Sequence, residues 1–545
     1  MRLANRLRSG HGQGRAALFC PRSRGTLSLL VAVLVSGVVV AGCGSTSSTG
    51  SKSTSTSAAA DSATAKSTLR IGLPYSYFQY YPNLAEITTS GNSGALELSL
   101  AYSSLFHMLP SGQTEGELAT SGNYVPTGHG PDTGFEFTLR HGVRFSDGTP
   151  LNAAAVVGWM KFYAKQIGGD QALFGPHPAF TALGDWKVRM TVSVPVANMS
   201  RVLSDVGDYW GTIASPACVA KPKLFVNGTC GTGPYMLDTA KTVPNTTYAY
   251  VPNPYYYDKP AVKYSGVVVS VIPQPSAALA ALQSGQLGFA YVGAESSTVS
   301  AAKAAGLQVD ATPVGAYQLL LNEKGPSGAA LRKASVRQAI SYAIDRPALA
   351  QLVARGYSTA SDLFPVTDVP DPSSTTFSYD PAKAKALLAQ AGYSNGLTLK
   401  VALVEARTQD QTMFGGVAQE LKAVGINLKP VNFTAPSSIF DNDGYLLTTI
   451  GNTTQVQYNA WMAAGNPLAS WPTDAHLVSL YHKGSDSQDP TSDWMSLLQY
   501  ESDQSYYVTI CTVSGIWYVT KSVTGVDVTA PRIGAVLINE LSPTT

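Results

Sequence analysis

The side chains of this 545-residue sequence that could do chemistry are its five cysteines, its seven histidines and one Ser-x-x-Lys spacing. A thiol serves as a nucleophile, a metal ligand, half of a disulfide or a site of acylation, and its neighbours decide which. Cys43 follows the small residues Ala41-Gly42 and closes an apolar run, a setting for processing and acylation rather than packing. Cys218 and Cys230 bracket a loop rich in Pro, Lys, Asn and Gly with no histidine beside either thiol, so a short-loop disulfide is expected ahead of a metal site. Cys511, within Tyr507-Val508-Thr509-Ile510-Cys511, reads as a buried core thiol. Ser300-Ala301-Ala302-Lys303 has the spacing of a nucleophilic serine and its base, yet no Lys-Thr-Gly element follows and Lys483-Gly484 is only a fragment of one. Among His107, His129, His141, His177, His476 and His482 no helix-spaced ligand pair occurs, so neither a dedicated metal site nor a cofactor is expected.

The segments around Cys43 give that thiol its meaning. Arg2, Arg6, Arg8, Arg15, Arg22 and Arg24 precede the apolar run from Leu27 to Val40, which is short of the roughly 20 residues a spanning helix needs. This is the layout of a secretory signal over residues 1–42. Val40-Ala41-Gly42-Cys43 resembles the bacterial lipobox, in which cleavage leaves an acylated cysteine as the new N-terminus. Each buried acyl methylene would contribute about 0.8 kcal/mol to membrane attachment. Residues 43–67 are dominated by Ser, Thr, Gly, Ala and Lys and read as a flexible tether that keeps the body near the outer face of the membrane. Cys20 falls in the discarded signal.

The remaining chain is too long for one compact core and too apolar, at 44% hydrophobic residues and a mean hydropathy of +0.03, for disorder. Two or more lobes, and a cleft between them, follow. The formal net charge is +2, and with the arginine-rich start set aside the body is near neutral, which argues against nucleic acid as a partner. Alternation marks strands at Thr68–Leu73, Phe135–Arg140, Val188–Val192, Thr247–Val251 and Val267–Ile272. Helical periodicity covers Ala95–Met108, Asn152–Phe162, Ser276–Ser284, Ser335–Arg355, Pro381–Ala391 and Gln411–Val424. Asn152 and Asp380 are good N-cap residues, and Asp147-Gly148 suits a turn. Strands interleaved with helices indicate an α/β fold with mixed sheets.

Several segments, in order, resemble the extracellular solute-binding proteins of family 5, which serve ABC importers of peptides, nickel complexes and other solutes. They are Phe137 to Leu151, Gly231-Thr232-Gly233-Pro234-Tyr235, Asn253-Pro254-Tyr255-Tyr256-Tyr257, Ala278 to Phe289, Val336 to Arg346 and Tyr379 to Leu388. Read physically they are architectural: Gly231 and Gly233 allow a tight turn before Pro234, and Arg337 and Asp345, eight apart on one helix, tie that helix to its lobe.

The resemblance implies a two-lobed periplasmic-binding-protein-like fold, class II and of the large cluster C type, with a hinge. Lobe I takes residues 68–97, 228–312 and 510–545, its subdomain 98–227, and lobe II 313–509. It implies a monomer that closes over a small solute, a peptide or modified peptide, and delivers it to an ABC permease and its ATPase without catalysis. Peptide-binding members hold the ligand's amine with an acid in the stretch aligned with 444–473, and here that stretch has no Asp or Glu. Asn459 and Asn466 offer only neutral acceptors, and Trp461, Trp471 and Tyr77 offer aromatic faces. A sugar, a metal chelate or a role reporting to a membrane sensor stay open as alternatives. A serine acylase-like enzyme built on Ser300 and Lys303 is the distant one.

Overall fold

The computed structural model describes residues 67–74, 93–128, 130, 132–167, 174–175, 177–196, 198–206, 210–292, 296–354, 356–364, 366, 369, 376–403, 408–432, 441–450, 454, 458, 474–485, 487, 491–528 and 535–544. Residues 64–545 form one compact unit. Cys43 and the signal lie outside the described residues, as do Tyr77, Asn459, Trp461, Asn466 and Trp471. No helix of the described residues is long and apolar enough to cross a membrane.

The strands in chain order are β1 (Thr68–Leu73), β2 (Phe106–Met108), β3 (Thr114–Gly116), β4 (Ala119–Tyr124), β5 (Gly134–Leu139), β6 (Ala179–Ala182), β7 (Lys187–Thr191), β8 (Tyr235–Leu237), β9 (Thr247–Pro252), β10 (Gly266–Val271), β11 (Phe289–Tyr291), β12 (Gln308–Leu321), β13 (Leu397–Leu403), β14 (Ile426–Asn432), β15 (Gly444–Ile450), β16 (Tyr507–Val519), β17 (Val523–Thr524) and β18 (Ser542–Pro543). Ten of them make one mixed sheet in the order β14-β13-β15-β12-β16-β11-β1-β10-β9-β8. A separate antiparallel sheet, β4-β5-β7-β6, belongs to the segment inserted between β1 and β8. The mixed two-lobed α/β architecture implied by the resemblance is the one observed.

Period-2 alternation explains how one sheet serves two cores. In β1, Leu69, Ile71 and Leu73 enter the first core, while Gly72 faces the other side, where a Cβ would crowd Leu287 and Ala290 at 2.8 and 3.1 Å. In β16, Trp517 and Val519 enter the first core and Ile516 and Tyr518 the second, which continues through Ile510 and Cys511 into the β12–β15 region. Cys511 is a buried free thiol whose pKa burial pushes up to about 12, which leaves it inert near neutrality. Cys218 and Cys230 are joined by a disulfide with Cα atoms 6.0 Å apart.

Several local expectations hold. Asn152 caps the helix Ala153–Ile167 by accepting from the Ala155 N–H at 2.9 Å, and Asp380 caps Pro381–Gln390 through the Lys383 N–H. Asp147 accepts from the Thr149 N–H in its turn while Gly148 takes φ 83°. Three are corrected. The helix read over Ala95–Met108 is Ser93–Ala101, after which the Ser104 N–H bonds the Glu117 carboxylate and Phe106–Met108 becomes β2. The long helix read over Ser335–Arg355 is two, Ala334–Tyr342 and Arg346–Ala354. Pro347 has no N–H to continue a helix, and Asp345 caps the second by accepting from the Ala348 N–H, so Arg337 and Asp345 do not share a helix. Gly231 and Gly233 are not among the positive-φ glycines; they are needed because a Cβ on either would strike Ala101 and Tyr102.

Gly233→Ala should therefore cost about 1–3 kcal/mol by overpacking. Gly158→Ala, on the exposed face of Ala153–Ile167 where a Cβ meets nothing within 4 Å, should instead stabilise by somewhat under about 1 kcal/mol. Urea unfolding of both variants checks the pair.

Candidate functional site

β12 and β16 are the longest strands of the ten-stranded sheet, and their pairing fixes the levels at which neighbouring strands end. β12 and β16 are antiparallel from Gln308↔Val519 to Leu320↔Tyr507, with register shifts at Pro313/Gly315 and Tyr317/Gln318. Pro313 has no N–H to donate, and it sits where the ladder is already interrupted.

The sheet register then fixes two departure points. β1 is parallel to β11, and β11 is antiparallel to β16 with Tyr291 opposite Trp517, so β1 runs toward the middle of the crossing pair and ends at the level of Trp517. β15 is antiparallel to β12 with Ile450 opposite Gly315, itself opposite Val513, so β15 runs toward the same middle from the other direction. Positions 513 and 517 are four residues, about 13 Å, apart along the strand. The segment holding Tyr77 follows the end of β1, and the segment holding Asn459, Trp461, Asn466 and Trp471 follows the end of β15. β1 and β15 therefore end facing each other along the crossing pair, with β11, β16 and β12 between them in the sheet, and Tyr77, Asn459, Trp461, Asn466 and Trp471 lie outside the described residues.

The free edge of β16 at this level is covered by residues 357–361. Ser514 Oγ donates to Tyr357 O at 2.6 Å, the Thr512 N–H to Thr359 O at 2.8 Å, and the Thr359 N–H to Thr512 Oγ1 at 2.9 Å. Lys303, the lysine of the Ser-x-x-Lys spacing on helix Ser296–Ala304, holds its ammonium 5.5 Å from the Tyr357 ring centre. The polar run Tyr357-Ser358-Thr359-Ala360-Ser361 gave no strand signal in the sequence, because its partner lies more than 150 residues away and supplies the pairing.

Where the chain returns after 473, Asp474 is held from several sides. Its carboxylate accepts from Tyr500 OH at 2.6 Å, Tyr506 OH at 2.7 Å and the His476 N–H at 2.8 Å, the last at the start of helix Ala475–Ser485. Burial alone would raise its pKa; the two hydroxyls and the helix amides outweigh burial and hold it below the ordinary aspartate value. Tyr458, just before Asn459, is buried and stacked on Tyr481 with ring centres 4.1 Å apart. Sequence reasoning missed this frame, in which Tyr500 and Tyr506 bond one acid, Asp474.

With this geometry in hand, residues 113–488 match the profile of the bacterial extracellular solute-binding proteins, family 5. The glutathione-binding protein GsiB of Escherichia coli (strain K12) is 26% identical over 369 residues, covering 64% of this chain and 70% of that protein. The PBP AgaA from A. tumefacien R10, solved with agropinic acid, superposes with a TM-score of 0.73 at 20% identity over 88% of this chain and 99% of its own. NikA from Brucella suis, solved with Fe(III)-EDTA, gives 0.71 at 19% identity, covering 88% of this chain and 100% of its own. DppA from Helicobacter pylori, solved with peptide STSA, gives 0.71 at 18%, with 87% and 98% covered.

Asp474→Asn should destabilise by about 1.5–3 kcal/mol through the loss of charge-assisted bonds from Tyr500 and Tyr506. Because the folded pKa is depressed, that stability is present above the unfolded aspartate range and is lost as pH falls through the folded value. Thermal denaturation of both proteins between pH 7 and pH 3 should show the two curves converging toward acid.

Proposed function

The chain belongs to the bacterial extracellular solute-binding proteins of family 5, and we propose that its solute is a small peptide or modified peptide. Binding a substrate for an ABC importer is the role of that family. What supports the peptide reading is the residue chemistry of the segments that follow β1 and β15, whose ends face each other along the crossing pair: Tyr77 after the first, and Asn459, Trp461, Asn466 and Trp471 after the second. Aromatic faces with neutral amide acceptors suit a backbone and side chains of mixed polarity. The curated relatives are named for glutathione, a tripeptide, and one of the similar structures carries a peptide.

Chemistry narrows the class. A ligand amine desolvated in a closed site needs a counter-charge, and residues 444–473 contain none. The preferred peptide therefore has a blocked or modified N-terminus, with Asn459 and Asn466 accepting from its neutral N–H groups and Trp461, Trp471 and Tyr77 covering its apolar surface. Cys43 is acylated and holds the body to the outer face of the cytoplasmic membrane through the 44–67 tether, where the monomer meets its permease and ATPase.

Titration calorimetry with matched peptides carrying a free or an acetylated N-terminus tests the ligand class. The acetylated member should bind at least as tightly, and Trp461→Ala should weaken it by about tenfold or more while thermal stability is kept; a free amine that improves affinity tenfold would contradict the reading. For the anchor, Cys43→Ser should move the protein from the membrane fraction to the soluble one, and unchanged fractionation would refute acylation there.

A further inference from the structure

Away from the crossing pair, four ionisable side chains from four segments meet beneath the C-terminal segment. His107, in β2, places Nδ1 2.6 Å from Asp205 Oδ2 and Nε2 3.8 Å from Glu540 Oε1. Asp205 is fixed in turn, since its Oδ1 accepts from the Met108 N–H at 3.1 Å. Glu117 stands beside them, accepting from the Ser104 N–H at 2.9 Å and from Tyr257 OH at 3.4 Å. The segment carrying Glu540 is also held by the Ile538 N–H on Ser99 Oγ at 3.1 Å, by Val536, Ile538 and Leu541 buried in the first core, by a small core of Ala95, Ala535 and Leu537, and by the β17–β18 pairing. Among the described residues no three such side chains converge as a metal site.

We propose that His107, Asp205, Glu117 and Glu540 form a proton-operated tie that fastens the C-terminal segment to this subdomain in mildly acidic surroundings and loosens above neutrality. The imidazolium between two carboxylates is the closed form. When the imidazole loses its proton, the charge that answers both Asp205 and Glu540 disappears.

Glu117 acts in the same sense. Burial, then the Asp205 charge, pushes its pKa up to about 7, so near neutrality it adds a third negative charge to the group. Burial pulls His107 down, and the Asp205 hydrogen bond and charge, with Glu117 and Glu540, overcome it and leave the imidazole above its ordinary value. The other charged or titratable neighbours include Glu115, opposite His107 in β3, Arg140, which bonds Glu117 O at 2.8 Å with its guanidinium 5.4 Å from the Tyr257 ring centre, Arg201 behind Met108, and the tyrosines Tyr256 and Tyr257. Both arginines stay charged throughout this range and supply no switch. For His107 and Glu117 alike the folded state binds the proton more tightly than the unfolded chain does. The stability they contribute is full below the unfolded pKa of each and is lost as pH rises through the folded values.

The test uses the full-length chain after signal removal. The His107 ring is followed by NMR from pH 5 to pH 9, and amide exchange at residues 538–541, corrected for intrinsic rates, is compared at pH 6 and pH 8.5. The tie requires a His107 midpoint above about 6.5, the ordinary imidazole value. It also requires protection at 538–541 to fall by about threefold or more at the higher pH, and Glu117→Gln to reduce that fall. A His107 midpoint at or below the ordinary value, protection independent of pH, or an undiminished fall in Glu117→Gln would each overturn it. The titration is read on the unaltered chain and decides the matter even if the variant fails to fold.

Discussion

The antiparallel pairing of β12 with β16 is the constraint on which the rest of the structure depends. These two strands are 14 and 13 residues long, and β16 sends side chains into both cores. Their register determines the level at which β1 and β15 end, and so where the segments following those strands can reach. A shift of one residue would exchange the faces of Ile516, Trp517, Tyr518 and Val519 and withdraw side chains from both cores at once. The pairing is interrupted at Pro313/Gly315, so an irregular part of the ladder lies near the level at which β15 ends.

Buried cations fasten helices to this pair and its approach. Arg346 is 3% exposed, and its Nε donates to Thr509 O at 2.8 Å within β16 while Nη1 donates to Ser341 O at 3.0 Å. Burial lowers its pKa to about 10, which still leaves it charged at neutrality, with carbonyl oxygens as acceptors. Arg337 does the same from the preceding helix, donating to Gln504 O at 2.8 Å and Leu331 O at 2.9 Å. In the segment from Val336 to Arg346 that resembles the family, both arginines thus serve as anchors. The same holds for Gly231 and Gly233, which let one backbone lie against another.

What the sequence made legible follows from how local each determinant is. The strands around Ile71, Phe137 and Val269 announce themselves by alternation, and the helix starts at Asn152 and Asp380 by capping chemistry, because each rests on neighbours within a few residues. β12 was hidden because Pro313 and Gly315 look like breaks; a partner nearly 200 residues away, as in the Gln318–Thr509 bond with a separation of 191, overrides that local signal. Ala95–Met108 misled because the run is buried on every side, so helical periodicity continued past Ala101, where tertiary bonds at Ser104 end the helix. Family membership and the two strands that precede the candidate segments are seen, whereas the roles of Tyr77, Asn459, Trp461, Asn466 and Trp471 are an expectation of residue chemistry.

The central claim is that the regions on either side of the crossing pair approach each other around a solute held by the segments that follow β1 and β15. Spin labels at the exposed Lys187 of β7 and Lys385 of helix Pro381–Gln390, one on each side, report that approach as a distance distribution. On saturation with an N-acetylated peptide the distribution should shift to shorter distances and narrow. An unchanged distribution in the presence of saturable binding would contradict the account.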